Sequence, residues 1–71
     1  MSKVDIENRF TYHPPQPDQI PKFEQLRNKA KELALLVEEL VPDSREKSLA
    51  LTKIEESNMW ANAAIARSTV E

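Results

Sequence analysis

The sequence predicts an all-α protein: an antiparallel helical hairpin with an extended N-terminal arm, assembling with copies of itself into a helical bundle. Three observations carry this reading. The 71 residues include no glycine and no cysteine, which disfavours a β-fold full of tight turns and removes disulfides as a staple. Apolar residues recur at helical spacing from Phe23 to Leu40, and a second helical run extends to about Arg67. One break, Val41-Pro42-Asp43-Ser44, separates the two.

Residues 1–19 read as the arm. They are polar and turn-rich and close on Tyr12-His13-Pro14-Pro15-Gln16-Pro17-Asp18, where three prolines force an extended path. Residues 20–71 form the hairpin domain, with a first helix over about 20–41. There Phe23, Leu26, Ala30, Leu33, Val37 and Leu40 follow a 3-4-3-4-3 spacing, the seam of a helix packed against a near-antiparallel partner. Pro21 is tolerated because the first helical turn has no intrahelical use for its N–H. Ala34, Leu35, Leu36 and Val41 widen the stripe, so more than one neighbour is needed to bury it.

Residues 42–43 form the turn. Asp43, with Glu46 three residues on, is the expected N-cap of a second helix over about 44–68. Two helices joined by so short a connection lie antiparallel. The second helix carries one stripe of Leu49, Thr52, Glu56, Met59, Ala63 and Ala66, and a neighbouring one of Ala50, Ile54, Ser57, Ala61 and Ala64. Alanines allow close helix approach but supply little apolar area each, which suits a crowded multi-helix interface. A chain this short, with no disulfide or zinc cluster, has oligomerisation left to stabilise it.

Composition also excludes several chemistries. Without glycine there is no phosphate-cradling loop, and without cysteine no thiolate zinc site or cysteine nucleophile. The single His13 cannot build a multi-histidine metal site, so no metal or cofactor is expected. Ten basic against twelve acidic residues give a net charge of −2, which argues against polymeric nucleic acid as a partner. Nothing resembles a signal peptide or membrane span, and a soluble protein in a reducing compartment is the expectation. Glu38-Glu39 and Glu55-Glu56 are adjacent pairs, pointing about 100° apart on a helix, and cannot share a substrate. Ser44, Ser48 and Ser57 have no local histidine, so an enzyme is not expected.

A basic cluster is more informative. Lys22, Arg27, Lys29 and Lys31 occupy the first half of the first helix, with Arg27 and Lys31 on one face. They suit an anion, or form a solvated face paired with Glu24 and Glu32. Phe10, Tyr12 and His13 lie near the same helix start, where they could stack on bases or plug the open end of the bundle. On the second helix Lys53, Ser57, Trp60, Ala64 and Arg67 share a face, with Trp60 either a core anchor or part of a binding surface. Asn58 and Asn62 read as residues that fix helix register across an interface.

Two stretches carry a resemblance. Asn8-Arg9-Phe10-Thr11-Tyr12-His13-Pro14-Pro15, and the run from Ser44 through Met59-Trp60-Ala61-Asn62-Ala63-Ala64-Ile65-Ala66-Arg67, resemble the phage anti-CBASS protein 2 family. That family shares a helical hairpin with a Thoeris anti-defence family. The resemblance implies a homohexameric sponge, acting in the cytoplasm of an infected bacterial host, that binds cyclic nucleotide messengers without cleaving them. It implies a cyclic dinucleotide pocket between protomers using Tyr12 and Arg27, to which His13 and Lys31 are added by proximity. Some members also hold cyclic trinucleotides at a separate site between protomers, for which Trp60 and Arg67 are the candidates. The competing expectation is an oligomerising hairpin that docks a protein through Leu35, Leu36 and Val41, with no nucleotide ligand.

Overall fold

The computed structural model describes residues 2–68. They fold into three helices, α1 (Lys3–Phe10), α2 (Ile20–Leu40) and α3 (Arg45–Arg67), with no strand among the described residues. The two long helices fall within a residue of their expected bounds at each end. Residues 69–71 of the hairpin domain lie outside the described residues.

The arm departs from expectation, since its first half is helical rather than extended. Local chemistry accounts for α1. The Ser2 hydroxyl accepts from the Asp5 N–H at 3.1 Å, capping the N-terminus. At the other end the Thr11 hydroxyl donates to the Glu7 carbonyl, and His13 Nε2 donates to the Asn8 carbonyl at 2.9 Å. Asp5 in the first turn and Arg9 in the last suit the helix dipole. Extended chain is confined to the stretch beyond Thr11, where the prolines begin.

The break between α2 and α3 is capped differently from the sequence expectation. Ser44, not Asp43, is the N-cap, with extended backbone and a hydroxyl accepting from the Lys47 N–H at 3.1 Å. Asp43 instead holds the Lys47 ammonium at 3.1 Å. Lys47 also reaches a Glu38 carboxylate oxygen at 3.2 Å and donates to the Glu38 backbone carbonyl at 3.1 Å. That carbonyl belongs to the last turn of α2, so a lysine from α3 closes the end of its neighbour. Desolvation pulls the Lys47 ammonium down, but the hydrogen bonds and charges of Asp43 and Glu38 together outweigh it and leave it above an ordinary lysine.

At the opposite end Gln19, only 4% exposed, plays the joining part. Its Nε2 donates to the Ile65 carbonyl in the last turn of α3 at 3.0 Å, and its Oε1 accepts from the Gln16 N–H at 3.0 Å. The hairpin is thus closed by a charged clasp at the turn and an amide clasp at the open end.

Between the clasps the seam is thin. Phe23, Leu26, Ala30, Ala34 and Val37 of α2 face Leu51, Ile54, Asn58, Ala61 and Ile65 of α3, all half-buried. No hydrophobic residue among those described is fully buried. Leu33 and Leu40 of the expected seam are 49% and 68% exposed, and Leu49 and Met59 of the first expected α3 stripe are exposed too. The second stripe fares better, with Ala50, Ile54 and Ala61 half-buried but Ser57 and Ala64 exposed. The physical reason is geometric. With extents of 44 × 29 × 13 Å the chain is one helix thick, since a helix with its side chains is about 10–12 Å across. A slab has two faces and no inside. Its radius of gyration of 15.3 Å exceeds the ~11 Å of a compact chain of this length.

Candidate functional site

A groove runs along each face of the slab where α2 and α3 meet, each of about 390 Å³. Both share the floor residues Ala30, Ile54 and Asn58, and they differ in their walls. Small side chains at Ala30 and Ala34 leave the space, because a larger residue in either register would fill it.

The first groove is walled by Arg27 and Lys31 from α2 and by Thr52 and Glu55 from α3. Arg27 and Lys31 stand one turn apart, so both cations look along the same wall. Neither makes an ion pair with a described residue. Glu32, one of their expected partners, pairs with Lys29 at 3.2 Å instead. The groove therefore presents a guanidinium and an ammonium paired with no described carboxylate, with Glu55 opposite. A guanidinium offers a planar fork to phosphate and an ammonium a compact point charge.

The second groove is walled by Leu26 and Leu33 on α2 and by Ser57 and Ala61 on α3, with Lys29 and Lys53 at its rim. Here both cations are committed, Lys29 to Glu32 at 3.2 Å and Lys53 to Glu56 at 3.5 Å. An apolar floor under neutralised cations suits packing against another apolar surface better than binding an anion.

The expected site residues separate accordingly. Arg27 and Lys31 are brought together. Tyr12 is 80% exposed on the arm, and neither it nor His13 lines either groove. His13 is half-buried with Nε2 given to the Asn8 carbonyl, leaving Nδ1 and the ring face. Phe10, at 85% exposure, does not plug the open end of the hairpin. Trp60 is no core anchor within the chain, being 64% exposed, and it shares a flank of α3 with half-buried Arg67, away from both grooves.

Residue-type reasoning passed over two participants. Glu55 was weighed only as half of an acid pair, although its register three residues after Thr52 puts it on the groove wall. Asn58 was read as a register residue, and its Oδ1 is buried without a hydrogen-bond partner among the described residues, as are those of Asn8 and Asn62. The described residues hold no cluster of His, Cys, Asp or Glu able to bind a metal ion, and no helix long and apolar enough to cross a membrane.

Comparison with known proteins gives one match. The family model described as Acb2/Tad1, hairpin domain, matches residues 2–66, which takes in α1, the proline arm and nearly all of the hairpin. No curated protein and no solved structure matches the chain. With nearly its whole length matched, this chain belongs to the Acb2/Tad1 hairpin-domain family.

Proposed function

We propose that this chain is a phage anti-defence sponge: it sequesters cyclic oligonucleotide second messengers without cleaving them and so blocks activation of CBASS effectors in the infected bacterial host. The ligands are cyclic dinucleotides such as cGAMP, with cyclic trinucleotides at a second site. The observation that carries this reading is the pair of uncommitted cations, Arg27 and Lys31, in a groove of a chain that belongs to this family. Two phosphates meet Arg27 and Lys31, while Tyr12, with the free edge of His13, stacks on a base. Trp60 and Arg67 offer an indole and a cation to a cyclic trinucleotide. Sequestration asks for no nucleophile, metal or general base, and is the act of binding itself.

A homohexamer supplies what one chain lacks. The accessible surface of 5884 Å² exceeds the ~4500 Å² expected of a compact monomer of 8.2 kDa, and exposed Leu33, Leu35, Leu36 and Leu40 are apolar side chains that another copy would cover. Tyr12 stands clear of the groove of its own chain, so the pocket is completed between copies.

Calorimetric titration against cyclic di- and trinucleotides tests this directly. Binding should raise Tm by mass action, and the nucleotide should be recovered intact after denaturation. Recovery of a linear product would replace the sponge with a nuclease. Tyr12→Ala should weaken cyclic dinucleotide binding about 5- to 150-fold, the worth of one stacked base, without changing the oligomer. Exposed Leu35 and Leu36, at 59% and 49%, favour a second reading in which the hairpin docks a protein partner. Absence of binding across the whole panel would select it.

A further inference from the structure

We propose that Gln19 is the positioning residue of the aromatic arm: its buried amide clamps the proline segment to the open end of the hairpin and so fixes where Tyr12 stands. The functional half of this rests on the sequestration reading; the clamp itself does not. Gln19 is one of two buried polar side chains in the described chain, and the other, Lys47, closes the turn. It occupies the N-cap position of α2, yet its side chain caps nothing in α2. Both ends of the amide are used elsewhere. Oε1 accepts from the Gln16 N–H at 3.0 Å, while the Gln19 N–H donates to the Gln16 carbonyl at 2.9 Å. This reciprocal pair closes the Gln16-Pro17-Asp18-Gln19 turn from both sides, as a capping box closes a helix start. Nε2 then carries the closed turn onto the Ile65 carbonyl of α3 at 3.0 Å, across 46 positions of sequence.

From that anchor the chain runs back through two prolines, whose fixed φ transmits direction over Pro15 and Pro14. Gln16 Nε2 braces the run at the Pro14 carbonyl at 3.5 Å. The far end is held by His13 Nε2 on the Asn8 carbonyl of α1. The segment after Tyr12 is thus tied to α3 through Gln19 and folded back onto the end of α1 through His13. A ligand that stacks on Tyr12 does not have to order the arm first, and preorganisation of this kind appears as affinity.

Two measurements test the assignment on the full-length protein. In the absence of nucleotide, the Gln16 amide should be protected from hydrogen exchange, and Gln19→Met, of similar length and without polar atoms, should speed its exchange about tenfold or more. Unchanged exchange overturns the clamp whatever the protein binds. With 3′,3′-cGAMP as probe, Gln19→Met should weaken binding about tenfold. In a Tyr12→Ala background the same substitution should cost less than about twofold, because a residue that acts through Tyr12 has nothing left to position. Losses that multiply across the two substitutions overturn the positioning role and leave Gln19 merely structural. Gln19→Glu covers the case in which the methionine variant misfolds. It keeps the acceptor for Gln16 but loses the donor to Ile65, so affinity should fall while the Gln16 amide stays protected; full affinity overturns the anchor. If wild type binds none of the cyclic nucleotides, the sequestration reading and the functional half fall together, and the exchange experiment alone decides the clamp.

Discussion

At the turn, Lys47 is 6% exposed and holds the Asp43 carboxylate, the Glu38 carboxylate and the Glu38 carbonyl at once. In the middle of the same hairpin, Arg27 and Lys31 line a groove and hold no described carboxylate. The same kind of charge is used in opposite ways in the two regions. At the turn it closes the free end of α2 and joins it to the start of α3. In the groove it is left uncommitted, which weakens nothing in the fold and leaves electrostatic attraction for a ligand. Removing a cation from the turn should therefore cost stability, and removing one from the groove should cost binding.

Lys47→Met breaks the comparison at its strongest point. It leaves the Glu38 carbonyl without its ammonium donor and two carboxylates without their cation, and should produce the largest fall in Tm of any lysine or arginine substitution in the hairpin, on the order of 10 °C. A pH series identifies the cause. The Lys47 ammonium lies above an ordinary lysine in the folded chain, so its stabilisation is fully present below the ordinary lysine range. It is lost as pH rises through the raised folded value. The Tm gap between wild type and Lys47→Met should stay constant through neutrality and close only in strong alkali. A gap that persists unchanged in strong alkali would mean that the methionine disturbs packing instead.

Arg27→Ala and Lys31→Ala sharpen the other side. Each removes charge-assisted hydrogen bonds to phosphate, and cyclic dinucleotide affinity should fall about 10- to 100-fold, from roughly 1.5–3 kcal/mol per charged contact. The Tm of the unliganded protein should move by less than a degree, because neither cation holds an ion-pair partner among the described residues. Arg27→Lys should recover only part of the loss, keeping the charge without the planar fork. A Tm that falls along with affinity would return Arg27 and Lys31 to the fold and dissolve the distinction.

How much of this could be read from the residues alone depends on the range of the interaction. The two long helices were legible because the 3-4 spacing from Phe23 and the Pro42 break are local signals, and Arg27 beside Lys31 follows from helical register. Helix α1 was not, since its C-terminal end is closed by Thr11 and by His13 reaching back five residues, a bond that no propensity encodes. The cap fell on Ser44, while Asp43 pairs with Lys47 four residues on; the part of this arrangement hidden in the sequence is that Lys47 also reaches Glu38 of α2, which becomes visible only once the two helix ends meet. Gln19 was invisible for the same reason, its partner Ile65 lying at the far end of α3. On α3 the alanine-rich surface offers several stripes of nearly equal hydrophobicity, and the seam through Leu51, Ile54, Asn58, Ala61 and Ile65 is chosen by packing against α2. Tyr12 rests on resemblance to the family, His13 on its proximity to Tyr12, and Trp60 and Arg67 are candidates for a second site that the resemblance implies; a single chain does not bring them to the groove.

Ser44→Ala offers a smaller and more local test at the turn. It removes the acceptor for the Lys47 N–H and should cost about 1 kcal/mol, a fall in Tm of about 4–8 °C for a chain of this size. Asp43→Ala should act through Lys47 instead. In a Lys47→Met background Ser44→Ala should keep most of its cost and Asp43→Ala should lose most of its own. The opposite pattern would restore Asp43 as the cap.

The smallest effect belongs to the second groove, where Lys29 and Lys53 pair with Glu32 and Glu56 on exposed helix surface. Both ammonium groups are more than 70% exposed, so water screens them and the long side chains give up entropy to meet. Lys29→Ala and Lys53→Ala should each change stability by no more than about 0.5 kcal/mol, and any change should shrink in high salt. Neither should alter cyclic dinucleotide affinity beyond about twofold if the Arg27 and Lys31 groove is the one that binds. The pair thus serves as the control that gives the larger effects their meaning. The cations on both faces are exposed, and they differ in whether a described carboxylate pairs with them. Equal losses of affinity on the two faces would show that net charge, rather than an uncommitted pair in a particular groove, attracts the nucleotide.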